Sequence, residues 1–202
     1  MSIKIINRAL VKIGEPPISS TSQEPNGSIC GVVYDDILEV LLESKDWRFA
    51  LKRAILAPDA EKPLFGYETA YTLPADFICL YKFGQYYKRQ NRSDNIVNSD
   101  EEYSIENGKI LCNSKDKVYL MYISLEKEER KFSPWFKQAL IAKLASELAM
   151  RIKQSAKLAE LFNNEFAFCL GEADKRNEIM NDSETIPDSS WMSVRDEVSN
   201  VD

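Results

Sequence analysis

Apolar residues recur at helical spacing near both ends of the chain and at two-residue spacing in its middle. In residues 2–13, Ile3, Ile6, Leu10 and Ile13 line one face of a predicted helix, and Ser2 is placed to cap its first amides. Gly14 can close that helix, and Pro16-Pro17 prevents its continuation. Residues 18–27, rich in Ser, Thr, Pro and Gly, read as a loop. A second helix is predicted from Gly27 or Ser28 to Glu43. Its core stripe is Ile29, Val33, Ile37 and Leu41, widened by Val32, Leu38 and Val40.

The period then changes. Trp47, Phe49 and Leu51 alternate with Arg48, Ala50 and Lys52, which predicts a half-buried strand. Residues 57–70, with Pro58, Pro63 and Gly66, read as a connecting loop. Phe77 to Tyr81 is a nearly continuous apolar run. Tyr103, Ile105, Ile110 and Cys112 flank Asn107-Gly108, the strongest short signal for a hairpin. Val118, Leu120 and Tyr122 alternate into a further strand, and the polar stretch 90–102 reads as a loop. Helical spacing returns at Ser133-Pro134 with Phe136, Leu140, Leu144, Leu148 and Ile152, widened by Ile141, Ala145 and Ala149. A last helix is predicted over about 155–180, with Leu158, Phe162, Phe166, Cys169, Ala173 and Met180 and Ser155 as its cap.

This pattern predicts a mainly α fold: a helical bundle of two N-terminal and two C-terminal helices, an inserted antiparallel β subdomain and a flexible C-terminal tail. The expected division is 1–45 with 132–181 for the bundle, 46–131 for the β-rich insertion, and 182–202 for the tail. Neither helical pair alone can bury its wide apolar face, so the two pairs are expected to pack together. The tail carries six acids and one base. It is predicted to be disordered in the isolated protein, yet it holds Trp191, Met192, Val194 and Val198 beside Arg195. Such apolar residues in a polar tail suit an anchor that orders on a partner.

Composition narrows the chemistry. The 202 residues include no histidine, which excludes triads, Cys-His dyads and imidazole metal sites. The seven glycines form neither GxGxxG nor GxxxxGK[ST]. Cys30, Cys79, Cys112 and Cys169 stand far apart among apolar neighbours and read as buried reduced thiols. No catalytic residue, metal or cofactor is therefore expected. No signal peptide and no membrane span are read. With 26 basic and 32 acidic residues the net charge is −6, which argues against a general grip on nucleic acid.

Several local charge clusters stand out against that background. Asp35-Asp36, Glu101-Glu102 and Glu128-Glu129 read as solvated pairs, because sequence neighbours do not converge on one reacting atom. Lys82, Tyr86, Tyr87, Lys88, Arg89 and Arg92 form the most basic and aromatic stretch. They are candidates for contact with DNA or a neighbouring subunit, against the simpler reading of an ordinary strand surface. Lys127, Arg130 and Lys131 lie in a mixed run with Glu126 and its neighbours, also read as solvated. Lys137, Lys143, Arg151, Lys153 and Lys157 make a partly basic helix face that reads as solvated or as a seat for an acidic partner.

One ordered set of segments goes further. Asn7-Arg8-Ala9-Leu10-Val11-Lys12-Ile13-Gly14-Glu15-Pro16-Pro17 precedes Asp46-Trp47-Arg48-Phe49-Ala50. Tyr71, Leu73-Pro74-Ala75-Asp76-Phe77 and the alanine-rich Ala139–Ala145 then follow. This succession, over about residues 3–180, resembles the tail tubular protein A family, the head-to-tail adaptors of short-tailed bacteriophages. The resemblance implies a structural virion protein at the head-tail junction, present in the host cytoplasm during assembly. It implies a homo-oligomeric ring, a dodecamer, between the portal protein and the tail nozzle, through which DNA passes without specific binding. It implies no membrane partner. It makes Gly14, Glu15, Pro16, Pro17, Trp47, Phe49, Leu73, Pro74 and Asp76 structural motif residues. By position alone it assigns Trp191, Met192, Val194, Arg195 and Val198 to the portal contact. The alternative from another class is a cytosolic helical regulatory or ligand-binding module, which would show a concave apolar pocket with converging polar groups.

Overall fold

The computed structural model describes residues 2–21, 27–84, 86–87, 95–96 and 102–182, and only the backbone of 86–87, 95–96 and 180–182. Helix α1 (Ile3–Lys12) starts at Ser2, whose hydroxyl accepts from the Ile5 amide. The same hydroxyl donates to Glu129 at 2.5 Å. The first turn of α1 has no acid of its own, so Glu129 brings negative charge to the positive end of its dipole. At the other end Gly14 adopts φ +78°. Its amide reaches the Val11 carbonyl and that of Glu15 the Leu10 carbonyl, the paired bonds of a glycine-ended helix.

Helix α2 (Gly27–Glu43) buries Cys30, Val33, Tyr34, Ile37, Leu38, Leu41 and Leu42. Three of the residues assigned to its core face solvent instead: Ile29, Val32 and Val40. Likewise in α1, Ile5 and Ala9 are buried while Ile3 is exposed. Both helices carry apolar residues around more than half their circumference, so periodicity alone does not select the inward side.

Trp47 and Phe49 do not lie on a strand. Trp47 immediately precedes a single 3-10 turn, Arg48–Ala50, which holds Phe49, and β1 (Leu51–Leu56) begins after it. The indole of Trp47 donates to the Leu41 carbonyl at 2.6 Å, satisfying an acceptor at the end of α2.

The remaining strands are β2 (Thr69–Thr72), β3 (Phe77–Gly84), β4 (Tyr86–Tyr87), β5 (Asn95–Ile96), β6 (Tyr103–Glu106), β7 (Lys109–Cys112) and β8 (Val118–Ser124). They form antiparallel sheets in the orders β1-β8-β3 and β2-β7-β6, with β4 paired to β5. The β6–β7 hairpin turns on Asn107 (φ 48°) and Gly108 (φ 72°), both in the left-handed region that such a turn requires. β2 begins in the last two residues of the stretch 57–70 that reads as loop. Tyr71 holds it there, fully buried, its one hydroxyl proton shared between the Ser114 and Asp116 carbonyls, each 2.8 Å away.

Ser133 caps α3 (Pro134–Arg151) by accepting from the Phe136 amide, and Pro134 occupies the first helical position. α3 is buried nearly all round, through Phe136, Ala139, Leu140, Ile141, Ala142, Leu144, Ala145, Leu148 and Ala149. α1 and α2 pack on it, and α4 (Ala156–Asp182) lies along it.

The expected mainly α bundle is overturned. With 48% helix and 21% strand in two three-stranded antiparallel sheets, the fold is mixed α/β. The sheets are no appendage, because they have a core of their own: Leu56, Tyr71, Phe83, Ile110, Cys112, Val118, Leu120 and Tyr122. β8 serves both cores. Leu120 and Tyr122 point into the sheet core and Ile123 into the helical one.

Phe136 is fully buried beneath three other aromatic rings, whereas Phe65 is 87% exposed. Phe136→Ala is expected to lower unfolding free energy by about 3–5 kcal/mol. Phe65→Ala should change it by no more than about 0.5 kcal/mol. Urea unfolding followed by circular dichroism measures both.

Candidate functional site

The motif segments do not gather into one pocket; each closes a separate joint. Around Gly14-Glu15-Pro16-Pro17, the Asn7 side chain accepts from the Ile18 amide (2.8 Å) and donates to the Ile18 carbonyl (2.9 Å). Glu15 pairs with Lys153 at 2.6 Å, tying the turn to the α3–α4 connection. Pro16 and Pro17 remain exposed. Lys12 adds an ion pair to Glu165 of α4.

At the second joint, Trp47 and Phe49 pack against Phe136, with ring centroids 5.0 and 4.8 Å away. Phe132 lies 5.4 Å from Phe49. Asn177 of α4 accepts from the Arg48 amide (3.0 Å) and donates to the Asp46 carbonyl (2.9 Å). Lys45 pairs with Asp174 at 2.7 Å. α4 thus reaches past the helices to hold the start of the sheet.

The third joint is Leu73-Pro74-Ala75-Asp76. The Leu73 amide bonds the Gly108 carbonyl, and the Phe77 amide closes a turn on the Pro74 carbonyl. Asp76 accepts from Lys52 of β1 (2.6 Å) and from the Tyr122 hydroxyl of β8 (2.9 Å). Its own carbonyl receives the Leu125 amide at 2.7 Å. One aspartate therefore links β1, β3 and β8. The bond from Lys52, then that from Tyr122, holds the Asp76 carboxyl below the ordinary carboxylate range. Burial, reinforced by Asp76, pushes the Tyr122 phenol up to about 12.

The other candidates are only partly placed. Lys82 is half-buried on β3, its ammonium 5.2 Å from the Tyr81 ring centroid. Tyr86 and Tyr87 pair with Ile96 and Asn95 through their backbones. Lys88, Arg89 and Arg92 lie outside the described residues. Trp191, Met192, Val194, Arg195 and Val198, with the whole stretch 183–202, also lie outside them.

Two charged runs depart from the solvated reading. Glu126 is 5% exposed and pairs with Lys131 at 2.7 Å, and Glu129 is bound to Ser2. The Ser2–Glu129 bond ties elements far apart in sequence, which no local pattern reveals, while Glu126–Lys131 is a local pair five residues apart. Asn7, Lys52 and Asn177 carry no local sign of their partners for the same reason, and Lys153, read as part of a basic helix face, pairs with Glu15 of the same chain. Cys30, Cys112 and Cys169 are buried free thiols, while Cys79 is half-buried. Burial raises the thiol pKa of Cys30, Cys79 and Cys169. Among the described residues, no His, Cys, Asp and Glu side chains group as a metal site, and no helix is long and apolar enough to cross a membrane.

Among the described residues, exposed apolar side chains include Ile3 and Val11 on α1, the scattered Ile55, Tyr103, Ile105 and Met150, and three further groups. On α2 they are Ile29, Val32 and Val40, and on α4 Leu161, Phe168 and Ile179. The third is the loop before β2, where Leu64 and Phe65 border an open cavity of about 380 Å³ over Ala70 and Leu111. The chain matches no protein-family model and no curated protein sequence. The likeness to tail tubular protein A thus rests on the order of its motif segments.

A pH series tests the third joint. The folded pKa of Asp76 lies below its unfolded value of about 3.9. Its stabilisation is thus fully present above that unfolded value and is lost as pH falls through the folded one. Asp76→Asn should cost about 1 kcal/mol or less at neutral pH, because Lys52 and Asp76 are both part-exposed. Urea midpoints of the two proteins should converge as the solution is acidified below about pH 4.

Proposed function

We propose that this chain is a structural head-to-tail adaptor of a short-tailed bacteriophage. In this reading it forms a ring between the portal and the tail nozzle, extends the DNA channel and catalyses no reaction. The observation that carries it is the alignment of exposed apolar residues along helices. Leu161, Phe168 and Ile179 stand seven and eleven residues apart on α4, so they share one face of that helix. Single exposed apolar residues are ordinary on a soluble surface, whereas several sharing one helix face suit contact with another protein.

Two further features support the reading. Each motif segment fastens a joint, and the Trp47–Phe49 segment fastens the one between helices and sheets, where stiffness lets a subunit transmit force without shearing its two parts. The net charge of −6 suits a channel wall that DNA slides past. The segment 182–202, with Trp191 as anchor and Met192, Val194, Arg195 and Val198 around it, would order on the portal and lock the joint.

Size-exclusion chromatography with light scattering tests this, using the portal from the same source with full-length and 1–181 chains. A large complex formed by the full-length chain and lost on truncation is the expected result. Equal binding by both forms would retain the adaptor and remove the tail from its mechanism. No complex with an assembled portal would overturn the adaptor itself.

A further inference from the structure

The first two helices present exposed faces of opposite charge. α1 offers Ile3, Lys4, Arg8 and Val11, and has no acidic residue. Its face continues into an open cleft of about 660 Å³, where Lys4, Arg130 and Lys137 outnumber Glu128 and Glu129. α2 offers Ile29, Val32, Asp36, Glu39, Val40 and Glu43, and has no basic residue. Each face is mixed: Val11 is 62% exposed on the first, and Val32 and Val40 are 63% and 65% exposed on the second. Lys4, Arg8, Asp36, Glu39 and Glu43 form no ion pair with a described residue.

Within one chain these faces cannot cover each other, because both helices are committed to α3 through their opposite sides. Between two chains they can. Apolar side chains would meet at the centre while Lys4 and Arg8 approach Asp36, Glu39 and Glu43 at the rim, the arrangement that gives an interface its selectivity. We propose that the α1 face of one copy docks on the α2 face of the next. The contact joins unlike surfaces, so each copy keeps one of each for further neighbours, as a ring requires. This deepens the assembly reading above and rests on it: it names the lateral contact of the adaptor.

Charge reversal provides the test. Lys4→Glu with Arg8→Glu makes both faces of a chain acidic, and Asp36→Lys with Glu39→Lys makes both basic. Neither variant can then pair with itself, but each complements the other. All four positions are exposed, so the fold is spared. Sedimentation velocity would be run on wild type, each variant and their equimolar mixture, alone and with portal. Wild type should assemble, each variant should need at least about tenfold higher concentration, and the mixture should regain wild-type assembly. Wild type that stays monomeric under every condition overturns the proposal. So do variants that assemble as wild type does, or a mixture that fails to recover. Portal binding separates this result from the adaptor reading. Portal-bound rings insensitive to the reversals sink the α1–α2 contact and leave the adaptor. Charge-dependent assembly without portal binding does the opposite, and assembly that halts at two copies keeps the contact and removes the ring.

Discussion

Four aromatic rings hold the two parts of this molecule together. Trp47 and Phe49 stand where the chain leaves the helices, and Phe132 and Phe136 where it returns. Their centroids lie 4.8–5.9 Å apart in tilted or edge-on geometry. Each such pair contributes about 0.5–1.5 kcal/mol beyond its buried area. The larger effect is geometric. The two ends of the β part are fixed to each other and to the first turn of α3, and the Ser124 hydroxyl closes the same seam on the Ala50 carbonyl at 2.8 Å.

From that seam β8 runs outward as the wall between two cores. Its sequence, Val118 to Ser124, is almost wholly buried, as a strand covered on both faces must be. A register slip of one residue would turn Ile123 into the sheet core and Tyr122 into the helical one, stranding its hydroxyl. The bond from Tyr122 to Asp76 pins the register. β3, on the other side of β8, tolerates two shifts of pairing because its own residues are only half-buried along most of their length.

Local signals were legible wherever backbone chemistry decides the outcome. Ser2, Gly14, Asn107-Gly108 and Ser133-Pro134 each perform the role their residue types dictate, and the four helices lie within a residue or two of their predicted limits. What escaped was tertiary. Trp47 was placed on a strand by alternation, but a carbonyl at the end of α2 claims it. β2 was hidden by the prolines and glycine before it, and Tyr71 secures it through partners more than forty residues away. The weight of the β part was underestimated for the same reason: short strands show little periodicity until their partners are known. Of the candidate positions, the motif residues proved to be fasteners rather than a cleft. Their partners Asn177, Lys153 and Lys52 carry no local mark of that role.

The position of α3 has a consequence for biosynthesis. This helix is the centre against which α1, α2 and α4 all bury their apolar sides, and it begins only at Pro134. As the chain emerges from the ribosome, α1 and α2 wait with their apolar faces uncovered while residues 44–133 are made. Such exposure is the period in which nascent chains associate wrongly. The β part has a core that needs nothing from α3 and can close first, from residues 56 to 122. Its closure draws the aromatic seam together and delivers α3 beside the waiting helices. Translation order and fold thus make the sheets the scaffold on which the helical half is completed.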